Sequence, residues 1–225
     1  MVNKFRKVIN IKTSINLLFW FIILQIFSFY FVFFTFAEAP KNYLKGKFYD
    51  SVENNFLIAT EKMLDERFKK TVIVMLSNDQ GGAWGLVINK PIGSVPIKLL
   101  INIPEDKKNE KDEIYKVSIP IFWGGPVEKT SIFILHTDDY KSDTTKNYNG
   151  ILVTRDHKIL IDIAKNKGPK KSLVIFGYSG LGSRQLEGEM EKDDWILSDL
   201  DPNIIFEKES IKKWSKAYEN SFIRL

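Results

Sequence analysis

The stretch "LVIFGYSGLGSRQLEGEM", Leu173 to Met190, runs from an apolar strand-like segment through Gly177, Gly180 and Gly182 into a charged, helix-like segment. Strand, glycine loop and helix is the layout of phosphate cradles and of nucleophile elbows. Three chemistries are therefore tested against it. A P-loop needs G-x-x-x-x-G-K-[ST]. Gly177 and Gly182 have that separation, but Ser183-Arg184 reverses the order of cation and hydroxyl, and Glu187, Glu189 and Glu191 crowd the segment that should attract an anion. A dinucleotide fingerprint, G-x-G-x-x-G, appears here in reverse spacing and late in the chain, with no βαβ unit left to build. A serine elbow, G-x-S-x-G, fits Gly177 and Ser179 but meets Leu181 at its last glycine. The triad histidine of that fold follows its serine, and no histidine follows His157. A rearranged triad with His136 or His157 stays open on geometry alone.

The rest of the inventory narrows the chemistry further. The 225 residues contain no cysteine and two histidines, which excludes disulfides, thiolate catalysis and cysteine- or histidine-rich metal sites. No cofactor motif is intact, so neither cofactor nor metal is expected. The net charge is +5; Lys4, Arg6, Lys7 and Lys12 contribute four positive charges and Glu38 removes one, leaving +2 for residues 39–225. A nearly balanced domain does not advertise a phosphate-binding face, so nucleic acid is not an expected partner.

The elements that would position such residues are short and β-rich. Phe56–Ala59, Thr71–Ser77 and Trp84–Lys90 read as strands. The last two are joined as a hairpin by "NDQGG" and the second is closed by Pro91. "VPIKLLINI" reads as a short helix, "PEDKKNEKDEIYK" as solvated charge, and "IPIFWGG" and "SIFILHT" as strands around a Gly124-Gly125-Pro126 corner. "ILVTR" reads as another strand, and "DHKILIDIAKNKG" as a helix with Ile159, Leu160, Ile163 and Ala164 on one face. The glycine run then reads as a turn into a helix that buries Leu186 and Met190. The chain closes with a helix whose apolar face is Ile211, Trp214, Tyr218 and Phe222. Consecutive strands with a few helices predict one α+β domain with a mixed or antiparallel sheet.

Ahead of this domain, Ile15–Ala37 is apolar and uncharged, and as a helix would span about 34 Å, enough to cross a bilayer core of about 30 Å. Residues 1–14 read as its basic flank and 38–54 as a linker to the domain at 55–225. "AEA" (Ala37 to Ala39) has the form of a signal cleavage site, but the apolar run exceeds the usual length of a signal core, so an inner-membrane anchor fits better.

Five phrases occur in a fixed order: "FLIATEKMLDERF", "GGAWGLVINKP", "FWGGPVEKTSIFILHT", "LVIFGYSGLGSRQLEGEMEKDDWI" and "DPNIIFE". Together they resemble the AlgH/YqgE family of bacterial proteins from about Asn55 to the C-terminus. The resemblance implies an α+β domain with a coiled, barrel-like sheet flanked by a few helices, and a cytoplasmic location. It carries little biochemistry: the family name comes from a proposed regulator of alginate synthesis, with no agreed catalytic residues. Leu181 stands where the family's glycine loop has an aromatic residue.

The expected function is a non-enzymatic regulatory or interaction module with a protein partner. The alternative is a hydrolase or nucleotide-binding enzyme built on the Gly177–Gly182 loop with Ser179, Arg184 or His136. Glycines mark close backbone approach, so the expected binding surface gathers the glycine corners: Gly81, Gly82, Gly124, Gly125, Gly180 and Gly182, with Arg184 and Gln185, and the Asn89-Lys90 corner as an anion seat.

Overall fold

The computed structural model describes residues 52–79, 81–101, 113–148, 150–182 and 185–222, all within a compact unit that runs from Asn42 to Leu225. The basic flank 1–14, the apolar segment 15–37 and Arg184 lie outside the described residues. Among the described residues no helix is long and apolar enough to cross a membrane.

Among the described residues ten strands form a curled, open half-barrel. In chain order they are β1 (Asn55–Ala59), β2 (Val72–Asp79), β3 (Gly82–Val87), β4 (Pro91–Pro96), β5 (Ser118–Trp123), β6 (Val127–His136), β7 (Lys146–Tyr148), β8 (Ile151–Thr154), β9 (Ser172–Gly182) and β10 (Trp195–Asp199). Helix α1 (Lys158–Ala164) precedes β9, α2 (Gln185–Glu191) follows it, and α3 (Pro202–Ile205) and α4 (Ser210–Phe222) close the chain. The main path is β10-β1-β2-β3-β9-β6-β8-β7, with β4 on β5 and β5 on β9. All pairings are antiparallel except β5 with β9.

The central strands read as continuous apolar runs because both of their faces are covered. Phe56, Ile58, Val72, Val74, Leu86 and Ile88 point to a core closed by Ile204, Ile205 and Ala217 of α3 and α4. Their neighbours Leu57, Ala59, Ile73, Met75 and Val87 point to a second core closed by Leu186 and Met190 of α2 and by Trp195. A third core packs α1, through Ile159 and Leu160, on β5, β6 and β9. Period-2 alternation assigns each side chain to one core, so a one-residue slip in register would exchange the two sets.

Strand β9 organises the sheet. Residues Val174–Phe176 pair with β5 and with β6, which must lie on opposite edges of the strand. The Gly124-Gly125-Pro126 link between β5 and β6 therefore crosses over β9. It does so in near contact: an added Cβ on Gly124 would lie 2.2 Å from the Gly177 carbonyl oxygen, and one on Gly125 2.2 Å from the Tyr178 carbonyl. At the crossing the Gly124 N–H donates to Phe176 O (2.7 Å), and the Gly124 carbonyl accepts from the Val87 N–H (3.1 Å) and from the Ser179 hydroxyl (3.1 Å). Gly177 takes φ +71°, a left-handed conformation suited to glycine, and bends the strand there.

Four expectations change. The glycine run is not a turn: β9 continues as strand to Gly182, because Gly180, Leu181 and Gly182 pair with Trp84, Ala83 and Gly82 of β3. "VPIKLLINI" contributes only a 3₁₀ turn at Ile97–Leu99, with Val95 and Pro96 ending β4. Strands β4, β7 and β10 join the sheet from segments that carry no clear alternation. On α4, Ile211 faces solvent (78% exposed) while Lys213 is wholly buried. The Lys213 Nζ donates to Ile88 O (2.9 Å) and sits 5.2 Å from the centre of the Phe122 ring.

Burial lowers the Lys213 pKa from 10.5 to about 8. Between those values the unfolded chain holds a proton that the native chain has released, so native stability rises with pH across that window. Wild-type stability should climb between pH 8 and 10.5 by an amount on the order of 2 kcal/mol. Lys213→Met, which keeps the stem and removes the charge, should flatten the climb. Urea titrations at pH 7, 8.5 and 10 measure both.

Candidate functional site

The last residues of β9, the α2 helix and the 60–71 loop enclose a cleft of about 560 Å³, within the range of ligand-binding clefts. Its apolar floor is Met63, Phe68, Ile73, Leu181 and Trp195. Phe68 packs its ring 5.4 Å from that of Trp123 and 5.7 Å, edge-on, from that of Trp195, and the Trp195 indole N–H donates to Glu189 Oε2 at 2.6 Å. The floor is thus rigid on both sides. The loop is tied down by Thr60, whose hydroxyl donates to Asp193 O (2.6 Å) and whose N–H donates to Asp194 O (2.9 Å).

Two ion pairs stand on the rim. Lys62 meets Asp193 at 2.6 Å and Arg67 meets Asp65 at 2.6 Å. The Arg67 guanidinium holds the Asp65 carboxyl below its ordinary pKa. Lys62, Arg67 and Lys192 balance Asp65, Glu189 and Asp194 around the opening. Leu64 stands at the mouth, 87% exposed.

Of the residues that the sequence picks out, Gly180 and Gln185 line this cleft, and Gly182 adjoins it by donating its N–H to Gln185 Oε1 at 3.2 Å. Gly82 is drawn to the same place as the β3 partner of Gly182. Gly81 caps the β2–β3 turn, its N–H donating to Asp79 Oδ1 at 2.7 Å. Gly124 and Gly125 lie at the crossing of β9. Arg184 lies outside the described residues.

Asn89 and Lys90 sit away from the cleft in an arrangement of their own. The Asn89 side chain accepts from the Val72 N–H (2.9 Å) and donates to Lys70 O (2.8 Å), extending the β2–β3 ladder as a backbone would. The Lys90 ammonium donates to Lys69 O at 2.6 Å, and burial lowers its pKa. Both groups are engaged by backbone, Asn89 through both ends of its amide and Lys90 through one of its three N–H donors. The 62–68 loop and Trp195 escaped the sequence reading because no motif marks them, and Glu189 entered it only as one of the acidic residues after the glycine run.

Ser179 and His136 belong to different places. Ser179 is buried beside the cleft with its hydroxyl donating to Gly124 O. His136 pairs with Ser172 at the other end of β9, seven residues away and about 20 Å along the strand. His136 is itself held in a closed network. Nδ1 lies 2.8 Å from Thr137 O, and Nε2 lies 2.8 Å from Thr154 Oγ1. Thr154 Oγ1 is 2.7 Å from Thr145 Oγ1, which accepts from the Ser142 N–H at 2.9 Å. A carbonyl only accepts, so Nδ1 carries the proton, Thr154 donates to Nε2 and Thr145 donates to Thr154. His157 lines a separate open cleft of about 360 Å³ with Arg155, Lys158 and Ile161. Among the described residues no three acidic or histidine side chains gather as metal ligands.

This arrangement is an α+β domain with a curled half-barrel sheet and one apolar-floored cleft beside its central strand. Residues 56–225 match the AlgH-like family over most of the chain, and the chain belongs to that family. It is 36% identical over 163 residues to a UPF0301 protein of Ruegeria pomeroyi, covering 72% of this chain and 86% of the relative. It is 34% identical over 176 residues to a UPF0301 protein of Rickettsia prowazekii, covering 77% and 90%. The solution structure of the AlgH protein from Pseudomonas aeruginosa superposes with a TM-score of 0.61 at 29% identity over 80% of this chain and 94% of that one. A crystal structure of a Corynebacterium diphtheriae protein shares the fold, with a TM-score of 0.56 at 16% identity over 81% and 92%.

Burial depresses the His136 pKa more than its hydrogen bond to Thr137 raises it. As pH falls through about 6.5, the unfolded chain takes up a proton that the native imidazole refuses, so native stability falls with acidification. ¹⁵N-resolved NMR of the imidazole should show the Nδ1–H tautomer at pH 6.5, with its titration midpoint displaced below the ordinary histidine value of 6.5. A midpoint at or above that ordinary value contradicts the network.

Proposed function

We propose that this domain is a non-enzymatic regulatory or protein-interaction module that receives a protein partner in the cleft beside β9. One observation carries the reading. The cleft joins an apolar, aromatic floor to a rim that carries three cations and three anions, a composition suited to burying a partner's side chain. The catalytic alternative finds no such support among the described residues: the Ser179 hydroxyl at the cleft is engaged with Gly124 O, and neither histidine lines it. The apolar segment 15–37 would hold the module at the inner membrane with its folded part exposed to the partner.

Cross-linked capture of the full-length protein from its own cells tests this. Leu181→Trp places a large ring on the cleft floor and should reduce recovery of the partner at least tenfold, in a variant whose folding is checked by circular dichroism. Ser179→Ala should leave recovery intact. Recovery of a nucleotide, or of an acyl group attached to Ser179, would instead establish the enzyme.

A further inference from the structure

The backbone of β9 at the cleft is paired on one edge only. Ladder parity establishes which edge. The Ile88 N–H donates to Val72 O on β2 and the Val87 N–H donates to Gly124 O on the opposite side. Along β3, therefore, Gly85 and Ala83 turn their backbone groups toward β9, and their register partners Ser179 and Leu181 turn toward β3. Gly180 and Gly182 must then point away from β3. Gly182 does so visibly, its N–H meeting the Gln185 side chain rather than a strand.

On that outer edge the β6 ladder reaches Tyr178 through Val127 and stops. The residue before Val127 is Pro126, which has no N–H to offer, and Gly125 has already turned across β9. Gly180 is exposed and lines the cleft, and by the same parity its N–H and C=O face away from β3, toward that opening. Gly180 and Gly182 are two apart, the interval at which an added strand exchanges main-chain hydrogen bonds. The Gln185 Oε1 occupies, at a long 3.2 Å and in solvent, the position of an incoming carbonyl.

Resting on the reading of the cleft as a partner site, we infer that its occupant is an extended peptide segment of another protein that adds as a short strand to the Gly180–Gly182 edge. Its carbonyl accepts from the Gly180 N–H, its N–H donates to the Gly180 carbonyl, and it displaces the Gln185 side chain. One large apolar side chain of the segment enters the floor between Met63, Phe68, Leu181 and Trp195. The balanced rim selects no net charge, so recognition lies in the main chain and in that side chain.

The probe is a displayed library of random octapeptides, panned on the full-length chain in detergent and counter-selected against Leu181→Trp. Peptides so selected should share one large apolar residue. N-methylating their amides one at a time should weaken binding more than tenfold at one position, with the adjacent positions little affected. Gly180→Pro, which removes the N–H that faces away from β3, should weaken binding more than tenfold. Gly180→Ala should stay within threefold, since an added Cβ there meets nothing closer than 3.5 Å. The N-methyl scan keeps the test intact whether or not the proline variant folds. Selected peptides indifferent to every N-methylation would overturn strand addition while leaving the cleft as a partner site. Failure to select any peptide sensitive to Leu181→Trp would overturn both.

Discussion

The crossing of the β5–β6 link over β9 constrains everything else in this domain. Two backbones pass within van der Waals distance at Gly124-Gly125 and Gly177–Ser179, and any side chain at Gly124 or Gly125 would occupy space held by carbonyl groups. Backbone at that separation cannot yield as a flexible side chain would, so the cost of a Cβ falls on the whole sheet. Because the link crosses there, β5 and β3 share one edge of β9 and β6 takes the other. Because β6 starts at Val127, the last turns of β9 keep an open edge. The cleft is a consequence of the crossing.

Polar groups enclosed by the sheet are satisfied locally, which is what lets so apolar a fold carry them. Asn89 substitutes for strand backbone between Lys70 and Val72. His136, Thr154 and Thr145 form a closed chain of donors and acceptors that ties the 137–145 loop to β8. Tyr140 extends this anchorage: its ring meets His136 edge-on at 5.9 Å and its hydroxyl donates to Asp162 Oδ2 on α1 at 2.8 Å. Lys213 keeps a charge-bearing group buried against the Ile88 carbonyl.

Much of this was legible in the residues. The strands at Phe56–Ala59, 71–77 and 131–137, the helix after Arg155 and the final helix follow from apolar period and turn chemistry, and Gly82, Gly124 and Gly125 do mark close approach, whereas Gly180 and Gly182 have room for a side chain. What stayed hidden depends on partners distant in sequence. Gly180–Gly182 looks like a turn until β3 supplies the pairing that makes it strand. Lys213 looks like a surface lysine, and Ile211 like a core residue, until the position of Ile88 rotates the helix face by one residue. The floor of the cleft joins Met63 and Phe68 to Leu181 and Trp195 across more than a hundred positions, and no local pattern announces it.

Residue-resolved amide hydrogen exchange along β9 tests the central claim most directly, because it reads which edge of the strand each N–H faces. The account predicts slow exchange at Ser179 and Leu181, whose N–H groups face β3, and fast exchange at Gly180 between them. Protection of the Gly180 amide equal to that of its two neighbours would contradict it.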